Sequence, residues 1–411
     1  MTEPQARPPI PLPLRVLLGA YFLNAFATVG TVTIVGKQVF DMTGRELDLG
    51  LIGLAEFLPM ALLAPITGSL ADRFDRRLMF GIGLTGDVVV SIAMFSYVNT
   101  DPTAVGPIFG LMVLFALTRS VGTPAARAIT IDMAPPDVLE RVIPLRSVAF
   151  QAGIISGPLV LAWVFVLDIA APYLVAAAAY GLAVVIVASM PKLPTRKLST
   201  RGGMQAIRDA REGLRFIRRQ PVVFGAISLD LFAVLFGGII ALLPAIAEKR
   251  LGVGAVGLGG LRAAVGAGSA VVALGLAVRP LRRHVGKVLL GVIAVFGVMH
   301  VAVALTTNYI VAVVALVIAA GSDQISVYIR STLVPLATPE EMRGRVLAVE
   351  NVFIGASNEL GAVESGLTAA AFGLVGAMLF GSVGTLVVVA LWWRYFPALR
   401  NVDRFSDVRA P

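Results

Sequence analysis

Long runs of apolar residues recur along the whole chain and are separated by short polar segments. Each run is about 20 residues or longer, enough for a helix to cross roughly 30 Å of hydrocarbon. We therefore predict an all-α membrane protein with twelve transmembrane helices. The predicted ranges are 14–40, 49–71, 78–98, 105–132, 142–167, 170–190, 221–247, 255–279, 286–306, 309–333, 345–372 and 374–395.

The composition agrees with a membrane protein. Apolar residues make up 57% of the 411 residues and charged residues 14%, with a mean hydropathy of +0.86, whereas soluble proteins carry about a quarter charged residues. The absence of cysteine excludes disulfides, thiol catalysis and thiolate metal sites. Since no phosphate-binding loop or hydrolase motif occurs either, we predict no enzymatic activity, cofactor or metal.

Basic residues are distributed unequally between the two sides of the predicted membrane. With both termini placed in the cytoplasm, the outer loops hold only Lys37, Arg45, Lys249 and Arg250. The inner loops, inner helix ends and tails hold 28 of the 34 basic residues. This excess on the cytoplasmic side fixes the orientation. It also explains the net charge of +9 without a nucleic acid partner.

The two halves of the chain resemble each other at an offset of 203 residues. Arg127 lies nine residues before Pro136, and Arg330 lies nine residues before Pro339; acids and arginine follow each proline. Such duplication is typical of transporters built from two bundles. The predicted segments are a cytoplasmic tail (1–13), a six-helix bundle (14–190), a basic linker (191–220), a second six-helix bundle (221–395) and a cytoplasmic tail (396–411). The linker is expected to lie as an amphipathic helix against anionic lipid headgroups.

A charged loop follows the second predicted helix. Residues 68–77 read Gly-Ser-Leu-Ala-Asp-Arg-Phe-Asp-Arg-Arg, which resembles the loop signature of the major facilitator superfamily, with Asp75 in place of a glycine. The resemblance covers nearly the whole chain and implies two pseudo-symmetric bundles that expose a central site alternately to each side. It also implies a cytoplasmic gate, although the same charges could serve topology alone. The gate residues are Gly68, Asp72, Arg73, Arg76, Arg77 and Asp132.

Two further motifs point to antiport. Gly153, Gly157 and Pro158 in the fifth predicted helix are similar to the core of the superfamily's antiporter signature, although its later glycines are missing. Close helix packing is the alternative explanation, since glycines four residues apart permit it. Arg119 is a truncated match to the family's fourth-helix motif, in which an arginine supports proton coupling; a structural ion pair is the alternative.

Several acidic residues fall inside the predicted helices. A charge in hydrocarbon is costly unless it faces a cavity or a partner. We expect Glu359 and Asp230 to be the main protonation sites, followed by Asp323, with a fixed ion pair as the alternative for each. The full set of candidates for proton coupling is Glu359, Asp230, Asp323, Glu56, Asp87 and Arg119. Glu350 is expected to form an ion pair with Arg345 or Arg330.

These patterns predict a carrier that exports a small, fairly apolar molecule or a siderophore-like metabolite in exchange for protons. Residues 350–361 resemble the equivalent helix of a bacterial subgroup near the enterobactin exporters. Proton-coupled nutrient uptake and a non-transporting membrane sensor are the alternatives. We expect a monomer in the bacterial cytoplasmic membrane. Candidate substrate-cavity residues are Asn24, Gln151, Gln324, Asn358, Phe232 and Phe236.

Overall fold

The computed structural model describes residues 9–191 and 203–408; for residues 64–73, 131, 136–137 and 203–207 it describes the backbone alone. Throughout these ranges the regular structure is helical. The elements are α1 (Leu12–Thr43), α2 (Glu46–Arg73), α3 (Arg76–Val98), α4 (Gly106–Met133), α5 (Pro136–Leu167), α6 (Ala171–Ala188), α7 (Gly203–Arg219), α8 (Pro221–Phe236), a 3₁₀ turn (Gly238–Leu242), α9 (Leu243–Ala245), a π turn (Ile246–Arg250), α10 (Gly254–Val278), α11 (Val285–Leu305), α12 (Tyr309–Leu336), α13 (Glu340–Tyr395), α14 (Pro397–Arg400) and a 3₁₀ turn (Phe405–Asp407).

The helices match the predicted all-α membrane protein. Among the described residues, ten helical segments are long and apolar enough to cross a membrane. The last of them, α13, has 56 residues and bends at Gly373, where φ is 73°, a backbone conformation that glycine adopts readily. The bend divides α13 into two helices of spanning length. Together with α2, which has 28 residues, they complete the twelve predicted helices.

The seventh predicted helix is discontinuous, contrary to the unbroken helix expected over 221–247. α8 ends at Phe236, and the chain then passes through a 3₁₀ turn, the single turn of α9 and a π turn that ends at Arg250. Gly237 and Gly238 follow α8 directly, and glycine weakens a helix because it leaves the backbone unrestrained. Hydropathy alone does not register this interruption.

The chain forms two compact units. One comprises residues 1–34 and 62–200, and the other comprises residues 35–61 and 201–411. In the first unit, α3 packs against α4 and α6. In the second unit, α8 packs against α13, and α12 packs against α10 and α11. The outer end of α1 and the first part of α2 therefore belong to the second unit.

The linker helix α7 is anchored to the second unit. Ile217 is 1% exposed and belongs to the apolar core of that unit. Arg345 of α13 forms ion pairs with two acids of α7, at 3.0 Å to Asp209 and 2.6 Å to Glu212. A Cβ atom at Gly213 would lie 2.8 Å from the carbonyl oxygen of Arg345. The helix α7 thus packs one face tightly on α13.

Two glycines permit the close crossing of α5 and α1 in the first unit. A Cβ atom at Gly157 would lie 2.1 Å from the carbonyl oxygen of Phe26. A Cβ atom at Gly153 would lie 2.5 Å from the carbonyl oxygen of Phe22. Both distances are shorter than van der Waals contact, so a side chain at either position would force the two backbones apart.

We expect Gly157→Ala to lower the stability of the folded protein by about 1–3 kcal/mol, the usual cost of overpacking. The measurement is a thermal unfolding curve of the purified protein in detergent. Gly181→Ala is the matched control, because a Cβ atom at this position of α6 would have no neighbour within 4 Å and alanine favours helix. Equal melting temperatures for the two variants would contradict the close crossing.

The segment after α14 accepts hydrogen bonds from the first backbone amide groups of α11 and of the residue before it. The amide groups of Val285 and Gly286 donate to the carbonyl oxygens of Asp403 and Val402, at 3.2 and 2.9 Å. The Asp403 carboxylate accepts a hydrogen bond from the amide of His284 at 3.0 Å. That backbone hydrogen bond, aided by the nearby basic side chains, holds the pKa of Asp403 below its usual range.

Asp403→Asn should lower the melting temperature at pH 7. Because the folded pKa is depressed, the stabilisation is complete above the ordinary aspartate pKa of about 4 and is lost as the pH falls through the folded value. The difference between parent and variant should therefore shrink as the pH falls below about 4. Melting curves at several pH values test this, with Asp101→Asn in an exposed loop as the control. A difference that persists undiminished at pH 3 would exclude a role for the charge.

Candidate functional site

A cavity of about 520 Å³ lies among α1, α3, α4 and α5 of the first unit. Its volume is within the range of about 300–1,000 Å³ found for small-molecule sites. Asn24, predicted as a cavity residue, does line it. The polar and aromatic lining residues are Tyr21, Asn24, Thr28, Phe80, Asp87, Arg119, Thr123, Arg127, Arg146, Ser147 and Phe150.

Asp87 and Arg119, predicted separately from sequence, meet at this cavity. Asp87 on α3 is 2% exposed and accepts a hydrogen bond from the hydroxyl of Thr118 on α4. Arg119 lies within electrostatic range of Asp87. The approach is possible because α3 and α4 are close: a Cβ atom at Gly83 would lie 2.8 Å from the Cα of Gly122. The buried acid thus has one hydroxyl partner and a guanidinium within electrostatic range.

Two further arginines line the cavity nearer the predicted cytoplasmic ends of the helices. The guanidinium of Arg146 on α5 stacks over the ring of Tyr21, 4.8 Å from its centroid. Its Nη1 donates to the carbonyl oxygen of Arg127 on α4 at 3.2 Å. The hydroxyl of Tyr21 in turn donates to the carbonyl oxygen of Ala126 at 2.6 Å. Sequence reasoning missed Arg127 and Arg146 as site residues, because arginine near an inner helix end is expected for topology alone.

A second buried polar cluster lies in the second unit. The side chains of Asp230 on α8 and Arg330 on α12 are 4% and 5% exposed, and Oδ1 lies 2.6 Å from Nη2. The contact is an ion pair without hydrogen-bond alignment. Arg330 also donates through Nε to the hydroxyl of Ser326 at 3.3 Å. Asp323 and Glu350 lie within electrostatic range of the same guanidinium.

The predicted candidates Glu359 and Glu56 lie in another part of the second unit. Glu359 follows Glu350 by nine residues on α13, which is about 13 Å along a helix. One of its carboxylate oxygens would lie 3.2 Å from a Cβ atom at Gly53 of α2. Glu56, one turn further along α2, is within electrostatic range of Arg262 on α10. The candidate coupling acids of the second unit therefore form two groups.

Ion pairs join the predicted outer ends of α1 and α2 to the π turn of the second unit. Lys37 forms ion pairs with Asp41 on its own helix and, at 3.2 Å, with Glu248 of the π turn. Lys249 lies 2.6 Å from Glu46 at the start of α2. These contacts hold the outer ends of three helical segments together.

Three residues of the predicted gate have described side chains, all in the first unit: Arg76, Arg77 and Asp132. Arg76 forms an ion pair with Asp132. Arg77 donates to the carbonyl oxygen of Met190. Asp75, which replaces the family's glycine, caps α3 by accepting a hydrogen bond from the amide of Arg77 at 2.9 Å. The side chains of the other gate candidates lie outside the described residues: Gly68, Asp72 and Arg73.

The remaining predicted cavity residues do not line this cavity. Phe232 and Phe236 face an apolar groove between α8 and the second part of α13, where each makes an edge-to-face contact with another aromatic ring. The amide of Asn358 donates to the carbonyl oxygen of Ile354 in its own helix, at 2.8 Å. Gln151 and Gln324 are also outside the cavity lining.

Two curated relatives are similar to half of the chain. An uncharacterised MFS-type transporter, YfiS of Bacillus subtilis, is 26% identical over 208 residues, which cover 50% of this chain and 48% of that protein. Macrolide efflux protein A of Streptococcus pyogenes is 27% identical over 219 residues, covering 50% and 51%. The chain thus matches about half the length of these relatives.

Solved structures share the fold over nearly the full length. A bacterial homologue of the human lysosomal transporter Spinster, inward-facing and unoccupied, has a TM-score of 0.72 at 16% identity and covers 95% of this chain and 98% of that one. The nucleoside transporter NupG has a TM-score of 0.72 at 13% identity, covering 94% and 100%. At such identities the likeness shows the fold alone.

The sequence profile of the Major Facilitator Superfamily matches residues 17–362. The match covers most of the chain and includes the cavity of the first unit and most of the buried polar residues of the second. Together with the helical architecture, it shows that this chain belongs to the Major Facilitator Superfamily, a family of membrane transporters.

Proposed function

We propose that this protein exports a small molecule in exchange for protons, by alternating access. The observation that carries the proposal is the buried ion pair of Asp230 and Arg330 in membrane-spanning helices. A carboxylate at such a position is costly to keep and is usually retained for transport or proton transfer. The efflux protein among the relatives favours export, as does the resemblance of Gly153, Gly157 and Pro158 to the antiporter signature.

In this proposal Asp230 is the site that gains and loses the coupled proton. When ionised, it attracts Arg330 and ties α8 to α12. Protonation removes that attraction and leaves Arg330 to the nearby carboxylates of Asp323 and Glu350. The two protonation states thus favour different arrangements of these helices, which is what a proton must do to shift a conformational equilibrium.

The outer ion pairs supply a closure that such a cycle has to open and reform. Lys249 bonds to Glu46, and Lys37 bonds to Glu248, so each pair links the π turn to the start of α2 or the end of α1. We assign these pairs to an outer latch, defined as Lys37, Glu46, Glu248 and Lys249. Partly exposed ion pairs are individually weak, so the latch can be broken at little cost.

Proton-coupled uptake is the second candidate function. Asp87 is buried beside Arg119 in the cavity. Protonation of Asp87 would release that arginine to bind an anion, so that proton and anion would travel together. The direction of transport in inverted and right-side-out vesicles separates the two candidates: export predicts accumulation in inverted vesicles only.

Asp230→Asn should reduce substrate-driven proton flux at least tenfold. The measurement is the internal pH of proteoliposomes during addition of lipophilic drugs, a macrolide among them, and siderophores. Exchange of the same compound across the membrane, which needs no net proton movement, should persist if the variant is folded. Asp101→Asn, which removes an exposed charge, should leave the flux unchanged.

A flux that survives Asp230→Asn would overturn the assignment of Asp230. Loss of flux in Glu359→Gln alone would move the coupling site to the other acidic group of the second unit. Exchange lost together with flux in Asp230→Asn, in protein with a parental melting temperature, would indicate a role in substrate binding instead.

Weakening the outer latch should expose the residues behind it. The chain has no cysteine, so Ile52→Cys, at a position that is 5% exposed in α2, reports accessibility to a membrane-impermeant thiol reagent from the outside. Adding Glu46→Gln should raise the labelling rate about two- to fivefold, the effect of losing a partly exposed ion pair.

The matched control is Arg45→Gln, since Arg45 interacts only loosely, at 3.8 Å, with Asp48 of its own helix. Exchanging the charges through Glu46→Lys with Lys249→Glu should restore the parental labelling rate. Equal rates in all variants would show that the latch does not hold the outer side closed.

A further inference from the structure

We infer that the cavity of the first unit binds the acidic group of an organic anion, so that the transported molecule carries a carboxylate or phosphate on an apolar body. The inference rests on the proposed transport function and specifies its substrate class. It starts from the charges that line the cavity, which are those of Asp87, Arg119, Arg127 and Arg146. Three arginines face one aspartate.

The positive charge is only partly compensated within the protein. The positive charge of Arg119 is partly compensated by Asp87. Within the described part of the chain, no carboxylate forms an ion pair with Arg127 or Arg146. Arg127 is exposed and Arg146 is half-buried, so an anion that enters the cavity can reach both guanidinium groups.

The geometry of Arg146 suits recognition of a planar or tetrahedral anion. Its guanidinium lies on the ring of Tyr21 and uses Nη1 to bond the carbonyl oxygen of Arg127. These two contacts fix the plane of the group and leave its other N–H donors for a ligand. A fixed guanidinium binds carboxylate or phosphate through paired hydrogen bonds. The Arg127 side chain lines the same cavity and can add a second charge.

The rest of the lining favours an apolar or aromatic body. Phe80 and Phe150 line the cavity together with Leu84 and Val29. Aromatic rings contribute large apolar area with few rotatable bonds. A small inorganic anion would leave this surface without contacts, whereas an aromatic acid would use both the charge and the apolar wall.

The charge of Asp87 determines the direction in which its substitution changes anion affinity. A carboxylate in the same cavity repels an anion, so Asp87→Asn should strengthen binding of an anion and leave a neutral molecule unaffected. A purely structural role for Asp87 predicts weaker binding of both. The arginine substitutions should act in the opposite direction to Asp87→Asn.

The test is binding to the purified full-length protein in nanodiscs of neutral phosphatidylcholine, with three probes of equal body and different charge: naphthylacetate, naphthylethanol and naphthylethylamine. We expect the anion to bind about tenfold more tightly than the alcohol, the effect of a charge-assisted hydrogen bond. Arg146→Gln and Arg127→Gln should each lower the affinity for the anion about tenfold and leave the affinity for the alcohol unchanged. Arg141→Gln, an exposed arginine of α5 outside the cavity lining, is the control.

Equal affinity for the anion and the alcohol, or equal loss of both in Arg146→Gln, would overturn the inference. Lipid phosphate is the other source of the same chemistry. If replacing phosphatidylcholine by phosphatidylglycerol abolishes anion binding while added inorganic phosphate does not, the cavity holds a lipid headgroup and the inference fails. Since binding needs no proton gradient, a protein that prefers the anion but shows no proton flux would keep this inference and refute antiport.

Discussion

The cost of a charge in hydrocarbon is the constraint on which the rest of this structure depends. Three acids in the membrane-spanning helices have partners on other helices: Asp87 on α4, Asp230 on α12 and Glu56 on α10. Since an unpaired charge at such depth costs several kcal/mol, each pairing also fixes which helices adjoin. The same pairings place these carboxylates at contacts between helices, where a change of protonation alters the packing of the helices.

Close backbone approach makes the pairing of Asp87 with α4 possible. Thr118 has a short side chain, and it reaches Asp87 because Gly83 and Gly122 allow α3 and α4 to approach. Without a hydrophobic driving force between helices in lipid, such small-residue contacts and buried hydrogen bonds carry the association. The glycine contact of α1 with α5 serves the same purpose on another wall of the cavity. Cavity shape and charge placement therefore have a common origin in glycine positions.

The sequence predicted the helices well because hydropathy and length decide membrane insertion, and local spacing records both. It did not predict the cavity partners. Arg127 and Arg146 were assigned to topology, because a helix-end arginine has the same local signature whether it faces water or a cavity. Asp75 is a different case: its position before Arg76 is an ordinary helix cap, although the family pattern has a glycine there. Which residues pair across helices depends on how the helices pack, and local sequence spacing does not record that packing.

The duplicated halves place equivalent arginines in different environments. Arg127 and Arg330 occupy equivalent positions, 203 residues apart, yet Arg127 lines the cavity while Arg330 is buried on Asp230. One copy is thus available to a ligand and the other is committed to an acid. If the first unit binds an anion and the second carries the proton, each cycle of export moves an anion out and a proton in. Both movements are driven by an inside-negative membrane potential, so the two proposed sites support transport in the same direction.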